Sequence, residues 1–291
     1  MPIEDHPSFN CPPVSQRLWR YIDFPKFTEL LTSRRLWLTN AEILAADDPH
    51  EGLQGAVQFP HRMWRSLGDV PEVLRKQIIA KGRGKPDETD EQTFKGWFMG
   101  EEQCCFMTLS NRRNFFVNCW HAADYESAAM WKIYGSPGGG VAIVSSGGRL
   151  HTALAQANEK IYLGAVRYVD PMSFEIGTPN AFDTIVRKRS GFAYEQEVRL
   201  VHWETGHYHD PLSNFDWNEQ TMRFDNIVPD PRPIAPGVTV DCDLDTMIEH
   251  VLVSPLAPAW YLPMIERLKE KLGYSFPVSH SDLLTVPPTI D

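Results

Sequence analysis

The stretch Tyr194-Glu-Gln-Glu-Val-Arg-Leu-Val201 holds the sharpest local pattern in the chain. Read as a β-strand, its period of two puts Glu195, Glu197 and Arg199 on one face and Val198 and Leu200 on the other. Two carboxylates about 7 Å apart along a strand repel each other unless a cation or a ligand answers them. Arg199 is the nearest such cation. Two readings follow: a solvated face carrying a carboxylate–guanidinium ladder, or part of a functional centre.

Working outward, the flanks alternate between strand-like and helix-like segments. Ile161 to Tyr168 reads as a strand, and Asp183 to Ser190 as a basic helix. Further upstream, Asp124 is placed to cap a helix from Tyr125 to Tyr134, with Ser127, Met130, Trp131 and Tyr134 on one face. Gly135 ends it, and Pro137-Gly-Gly-Gly140 leads into the apolar strand Val141 to Val144. Cys104 to Leu109 and Phe115 to Trp120 read as strands about the turn Asn111-Arg-Arg-Asn114. The opening is strand, helix, strand: Leu18-Trp-Arg-Tyr21, a helix starting near Pro25, then Arg35 to Thr39, ending at Asn40. Downstream, Ile248 to Val253 is strand-like and Pro258 to Leu272 is a helix stopped by Gly273.

The expected fold class is therefore α/β of the α+β type, a mixed, mainly antiparallel sheet with flanking helices. Residues 17–285 form the expected single domain, after an irregular lead-in at 1–16 and before a tail at 286–291. Residues 60–100 read as a helical insertion interrupted at Lys81-Gly-Arg-Gly-Lys-Pro86, and 205–236 as a long surface excursion.

Composition agrees with a globular protein, at 42% hydrophobic and 23% charged residues over 291 positions. The apolar runs are strand-sized, far short of the roughly 20 residues of a membrane span, and the N-terminus lacks the pattern of a secretory signal. The five cysteines (Cys11, Cys104, Cys105, Cys119 and Cys242) contain no C-x-x-C pair. That usage fits a reducing compartment, so a cytoplasmic location is expected. A net charge of −10 argues against a wide non-specific grip on nucleic acid.

Other constellations bear on chemistry. The acidic loop Asp47-Asp-Pro-His-Glu51 suits either a turn or hard-cation ligation. Combined with the glutamates, Asp48, Glu51, Glu195 and Glu197 around Mg²⁺, with Lys188 nearby, would suit a metal-dependent nuclease or phosphodiesterase. Trp131 and Tyr134 at helical spacing are either core or a platform for a flat ring. The following glycines lack the Walker lysine of a phosphate loop. His207 and His209 form a weak H-x-H, and His121 reads as a satisfied histidine at a strand end. There is no G-x-S-x-G elbow and no cysteine with an identifiable base. A non-enzymatic interaction module, its carboxylates paired with Arg20, Arg199 and other cations, is a further alternative.

Three blocks together carry a resemblance: Leu18-Trp-Arg-Tyr21 through Asn40 to Asp48-Pro-His-Glu51, then Glu126-Ser127 with Met130-Trp-Lys-Ile-Tyr-Gly135, then Glu195-Gln-Glu-Val-Arg199. In this order they resemble a bacterial and phage-associated family of unknown function. More distantly, the chain is similar to ADP-ribosyltransferases, whose arginine-directed members carry E-x-E with the second glutamate catalytic. That resemblance implies NAD as substrate, with no tightly bound metal. Glu197 would stabilise the oxocarbenium-like charge that develops as the nicotinamide–ribose bond breaks, and Glu195 would serve the acceptor. It implies a dinucleotide site of Arg20, Tyr21, Asn40, Trp131, Tyr134 and Ser146, with Arg20 on the pyrophosphate and Trp131 or Tyr134 facing the nicotinamide. A toxin or phage-defence effector with a macromolecular acceptor and an antitoxin or regulatory partner is the biological expectation.

Overall fold

The computed structural model describes residues 3–53, 64–82, 87–135, 139–170, 180–204, 216–226 and 231–285. His207, His209, the tail 286–291 and parts of the two excursions, including Arg83 to Pro86, lie outside the described residues.

The chain begins Arg17–Asp23 (β1), Phe24–Ser33 (α1), Arg35–Asn40 (β2) and Ala41–Leu44 (α2). Asp23 caps α1 by accepting from the Lys26 N–H, Pro25 sits in the first turn, and Arg34 closes the helix in the left-handed region at φ 58°. Glu72–Gly82 (α3) and Asp90–Asn111 (α4) follow, then Phe115–Ala122 (β3), Ala128–Ile133 (α5), Gly140–Ser146 (β4), Gly147–Ala153 (α6), Tyr162–Ala165 (β5) and Arg167–Val169 (β6). The remainder comprises Ala181–Ile185 (α7), Arg187–Arg189 (β7), Glu197–Trp203 (β8), Asp216–Asn218 (β9), Arg223–Asp225 (β10), Gly237–Asp241 (β11), Leu244–Met247 (α8), His250–Val253 (β12), Tyr261–Lys271 (α9) and Val278–His280 (β13).

These elements give the mixed α/β protein expected from the alternating pattern, with a nine-stranded, mainly antiparallel sheet at its centre. Among the described residues, only β12 and β13 run parallel within it. The sheet forks at β3. One edge of that strand pairs with β8 along its whole length, from Phe115↔Trp203 to His121↔Glu197. The other edge is shared: β2 takes its start at Thr39↔Val117, and β1 takes its end at Trp19↔His121. Helix α1 bridges the two tines, burying Phe27, Leu30 and Leu31.

The two faces of the sheet differ. One carries the principal core, where Leu18, Ile22, Phe116, Trp120, Ile143, Val198 and Leu200 meet α1, α6 and α9. On the other, apolar packing is split between a cluster around Trp19, Tyr21, Met130 and Trp131 and a second around Phe9, Phe115, Val117, Phe182 and Val201. Between them stand Cys119, His121, Glu197 and Arg199, by the alternation of β3 and β8.

Several expectations are corrected. Cys104 to Leu109 is not a strand but the end of the 22-residue α4, which a Thr89/Gln92 capping box starts and whose Phe94 and Phe98 pack beside Ile78 of α3. The helix expected from Tyr125 begins at Ala128, and Ser127 rather than Asp124 caps it. Asp183 to Ser190 is not one helix: α7 ends at Ile185, and Arg187–Arg189 pairs in parallel with Arg167–Val169, which also divides the strand expected over Ile161 to Tyr168. The surface excursion contains the β9–β10 hairpin, and Trp217 and Met222 from it pack against the small core of α3 and α4.

The irregular lead-in is anchored to β5 and its flank. Ile3 and Asn10 bridge to Ile161 and Ala165, and Phe9 stacks on Tyr162 with ring centroids 5.1 Å apart. A Cβ on Gly164 would lie 2.8 Å from Phe9 Cδ1 and 3.2 Å from its Cα. Gly164→Ala should therefore displace Phe9, lowering stability by about 1–3 kcal/mol and exposing residues 3–16 to limited proteolysis while the rest of the chain stays protected.

Candidate functional site

The expected strand over Tyr194 to His202 is interrupted. Ser190 to Glu195 form a 3₁₀ turn, Gln196 takes a left-handed conformation at φ 41°, and β8 begins only at Glu197. Simple alternation therefore does not align Glu195 with Glu197. Their carboxylates still converge, because both contact the Lys188 ammonium, at 2.5 Å for Glu195 Oε2 and 3.4 Å for Glu197 Oε2.

The charged face is not solvated. Arg199 is fully buried, and Glu51 and Glu197 are nearly so. The Arg199 guanidinium donates from Nε to Glu197 Oε1 at 2.8 Å and from Nη2 to Glu197 Oε2 at 3.0 Å. It also grips both oxygens of Glu51 and gives a bond of 2.6 Å to the Ile185 carbonyl at the end of α7. Two bidentate pairs on one guanidinium use its planar fork to the full. Burial disfavours the charge on Glu197, but Arg199 and Lys188 outweigh it and hold the carboxyl down to about 2. The adjacent Cys119 thiol is pushed well above its ordinary range, chiefly by burial and then by Glu197.

Glu195 is as buried as Glu197 but has different partners. Its Oε1 accepts from the Tyr134 hydroxyl at 2.7 Å, and its backbone carbonyl accepts from His121 Nδ1, which fixes the imidazole tautomer. Tyr134 is 45% exposed, so the cluster reaches the surface there. Burial and the Glu195 carboxylate raise the Tyr134 pKa, so its hydroxyl stays protonated and donates. Burial works against the charge of Lys188, but Glu197 and Glu195 raise its pKa overall, and its ammonium lies 4.7 Å from the Phe192 ring. The Tyr168 hydroxyl accepts from the Glu197 N–H at 2.8 Å.

Of the residues anticipated from sequence, Glu51, Glu195, Glu197, Lys188 and Tyr134 come together, and Asp48 stands beside them, paired with Arg189 at 2.6 Å. Tyr21 and Trp131 form the floor next to His121, their rings perpendicular at 5.0 Å. Both are committed to support: the Tyr21 hydroxyl accepts from the Ser127 N–H, and Trp131 Nε1 donates to Glu126. Asn40 and Ser146 act as caps of α2 and α6. Arg20 is not part of the cluster, because alternation along β1 puts it between Leu18 and Ile22, on the face opposite Trp19 and Tyr21. Among the described residues, no group of three or more His, Cys, Asp or Glu is placed to hold a metal ion. Carboxylates from both acidic blocks do converge, but on Arg199 and Lys188. Sequence reading missed Tyr168, Phe192 and Arg189 as neighbours. The basic run Arg187-Lys-Arg189 was their only signal.

No protein-family model, no curated protein and no solved structure matches this chain.

Because the Glu197 pKa lies below the ordinary glutamate value of about 4.3, the ionised pair stabilises the fold above that value, and the contribution is lost as pH falls towards about 2. Arg199→Met, which leaves the buried Glu51 without a cation and Glu197 with Lys188 alone, should cost about 3–5 kcal/mol at neutral pH. Its deficit should shrink on acidification as Glu197, deprived of Arg199, protonates, which urea titrations at pH 7 and pH 4 would measure.

Proposed function

We propose that this protein is an NAD-using, ADP-ribosyltransferase-like enzyme that cleaves the nicotinamide–ribose bond at the Glu195–Glu197 cluster. The observation that carries this reading is the convergence of two glutamates on Lys188, with one of them hydrogen-bonded to the half-exposed Tyr134. The two carboxylates differ in what they can do. Glu197 is ionised and fixed on both oxygens, so it is poor at taking a proton but supplies a preorganised negative charge to an oxocarbenium-like transition state. Glu195 is bonded instead to Lys188 and to Tyr134, the half-exposed residue past which an acceptor nucleophile would approach. The Tyr134 ring stands half-exposed where the cluster meets the surface, and a flat aromatic face there suits the nicotinamide. The mainly antiparallel sheet with flanking helices agrees with such a fold.

A second reading, the non-enzymatic interaction module, is favoured by one observation. Asp48, Glu51, Glu195 and Glu197 each have a cation partner within the chain. The metal-dependent alternative is less well supported, because Arg199 occupies the position between Glu51 and Glu197 where a bridging cation would sit.

Incubation with NAD⁺, with and without Mg²⁺ or a chelator, separates these readings. Nicotinamide release should be insensitive to chelation, and Glu195→Gln and Glu197→Gln should each reduce it by about 10²- to 10³-fold, with folding checked by circular dichroism. A folded wild type that neither binds NAD⁺ nor releases nicotinamide would leave the interaction module as the better account.

A further inference from the structure

On the face of the sheet opposite the glutamates, the buried polar atoms without a hydrogen-bond partner include Arg20 Nη1, Asn118 Oδ1 and Trp120 Nε1. All three lie at the fork. The β1–β3 register runs Leu18↔Ala122 and Trp19↔His121, and one further step sets Arg20 opposite Trp120. Asn118 is two residues along β3 on the same face. The fork leaves this part of β3 outside both ladders, since β2 pairs at residues 116 and 117 and β1 at 121 and 122.

We propose that this fork is a small-oxyanion site of phosphate type, in which Arg20 and Trp120 donate to the ligand's oxygens and Asn118 Oδ1 accepts from its hydroxyl.

Each residue is suited to its part. Asn118 and Trp120 are only 1% and 2% exposed, so their free polar atoms are shielded from bulk water. The Asn118 amide is oriented by its Nδ2 bond of 2.8 Å to the Trp37 carbonyl on β2, which leaves Oδ1 as the free end. Arg20 is partly exposed, giving a way in, while its Nη1 is fully enclosed. No carboxylate pairs with Arg20 among the described residues, unlike Arg199, Lys188 and Arg189 across the sheet. Burial lowers its pKa to about 10, the direction expected of a guanidinium whose counter-charge is missing. A water molecule would satisfy the indole and the amide but would not neutralise the guanidinium, and buried charges are ordinarily paired. Two donors and one acceptor define the ligand: phosphate keeps a P–OH at neutral pH and matches all three, whereas sulfate has no proton for Asn118. The site is separate from the dinucleotide role that resemblance gives Arg20, and it does not depend on catalysis at Glu195 and Glu197.

The indole N–H resonances of the full chain, with Trp120 assigned through Trp120→Phe, provide the test. Inorganic phosphate should shift the Trp120 signal saturably and raise Tm. Sulfate should bind at least about tenfold more weakly, because it leaves the Asn118 acceptor unmet. Ribose 5-phosphate in place of phosphate distinguishes a sugar phosphate from the free ion. Glu195→Gln should leave the response intact. Arg20→Met should abolish it without lowering Tm in phosphate-free buffer, since it removes an uncompensated charge. If that variant does not fold, loss of the phosphate-dependent Tm rise in Trp120→Phe serves instead. Equal responses to phosphate, sulfate and chloride, or a response that survives Arg20→Met, would overturn the site. So would a Trp120 shift produced by NAD⁺ and not by phosphate, which would return Arg20 to the dinucleotide.

Discussion

A fully buried guanidinium organises this protein. Arg199 lies in the middle of β8, the strand that pairs with both β3 and β5, and its five contacts reach three separate parts of the chain. Glu51 comes from the acidic loop after α2, Ile185 from the end of α7, and Glu197 from its own strand. Removing so many charges from water is costly, and the cost is met only if every partner is in place. The loop at 46–52, the α7–β7 turn and the start of β8 therefore share one constraint.

That constraint explains why one face of the sheet is divided. Apolar packing forms one large cluster on the opposite face, but here it is split on either side of a charged centre. The members of the centre differ in their partners. Arg199 and Glu51 are inaccessible, Glu197 is held by both Arg199 and Lys188, and Glu195 bonds to a tyrosine at the surface. A buried carboxylate linked to a surface tyrosine and backed by an ionic network is the kind of preorganised arrangement on which electrostatic catalysis relies. The fork offers a contrast, with a cation on the other face that has polar neighbours and, among the described residues, no carboxylate paired with it.

The strand pattern of the sequence was legible where both neighbours were ordinary. The segments over Leu18 to Tyr21, Arg35 to Thr39, Phe115 to Trp120 and Val141 to Val144 all appear as strands, because alternation or an apolar run was enough. It failed where tertiary partners overrode local preference. Cys104 to Leu109 looked strand-like, but it continues a helix nucleated by the capping box at Thr89 and anchored by Phe94 and Phe98. Arg187 to Arg189 looked helical, but pairing with β6 makes it a strand and turns Lys188 towards the glutamates. Two basic residues on either side of a lysine carry no periodic signal for that outcome.

The sequence by itself determined the alternation of elements, the mixed sheet they build, and the clustering of acidic and aromatic residues in a few short blocks. Only the tertiary structure decided how those blocks are used. It broke the strand at Gln196 yet brought Glu195 back to Glu197 through Lys188, a residue that local spacing cannot place. It put Arg20 on the opposite face from Tyr21, and made Asn40 and Ser146 helix caps. Periodicity fixes which face of its own element a residue occupies, whereas the identity of a buried charge's partner depends on contacts distant in sequence, such as Glu51 with Arg199, which exist only once the sheet has closed around them.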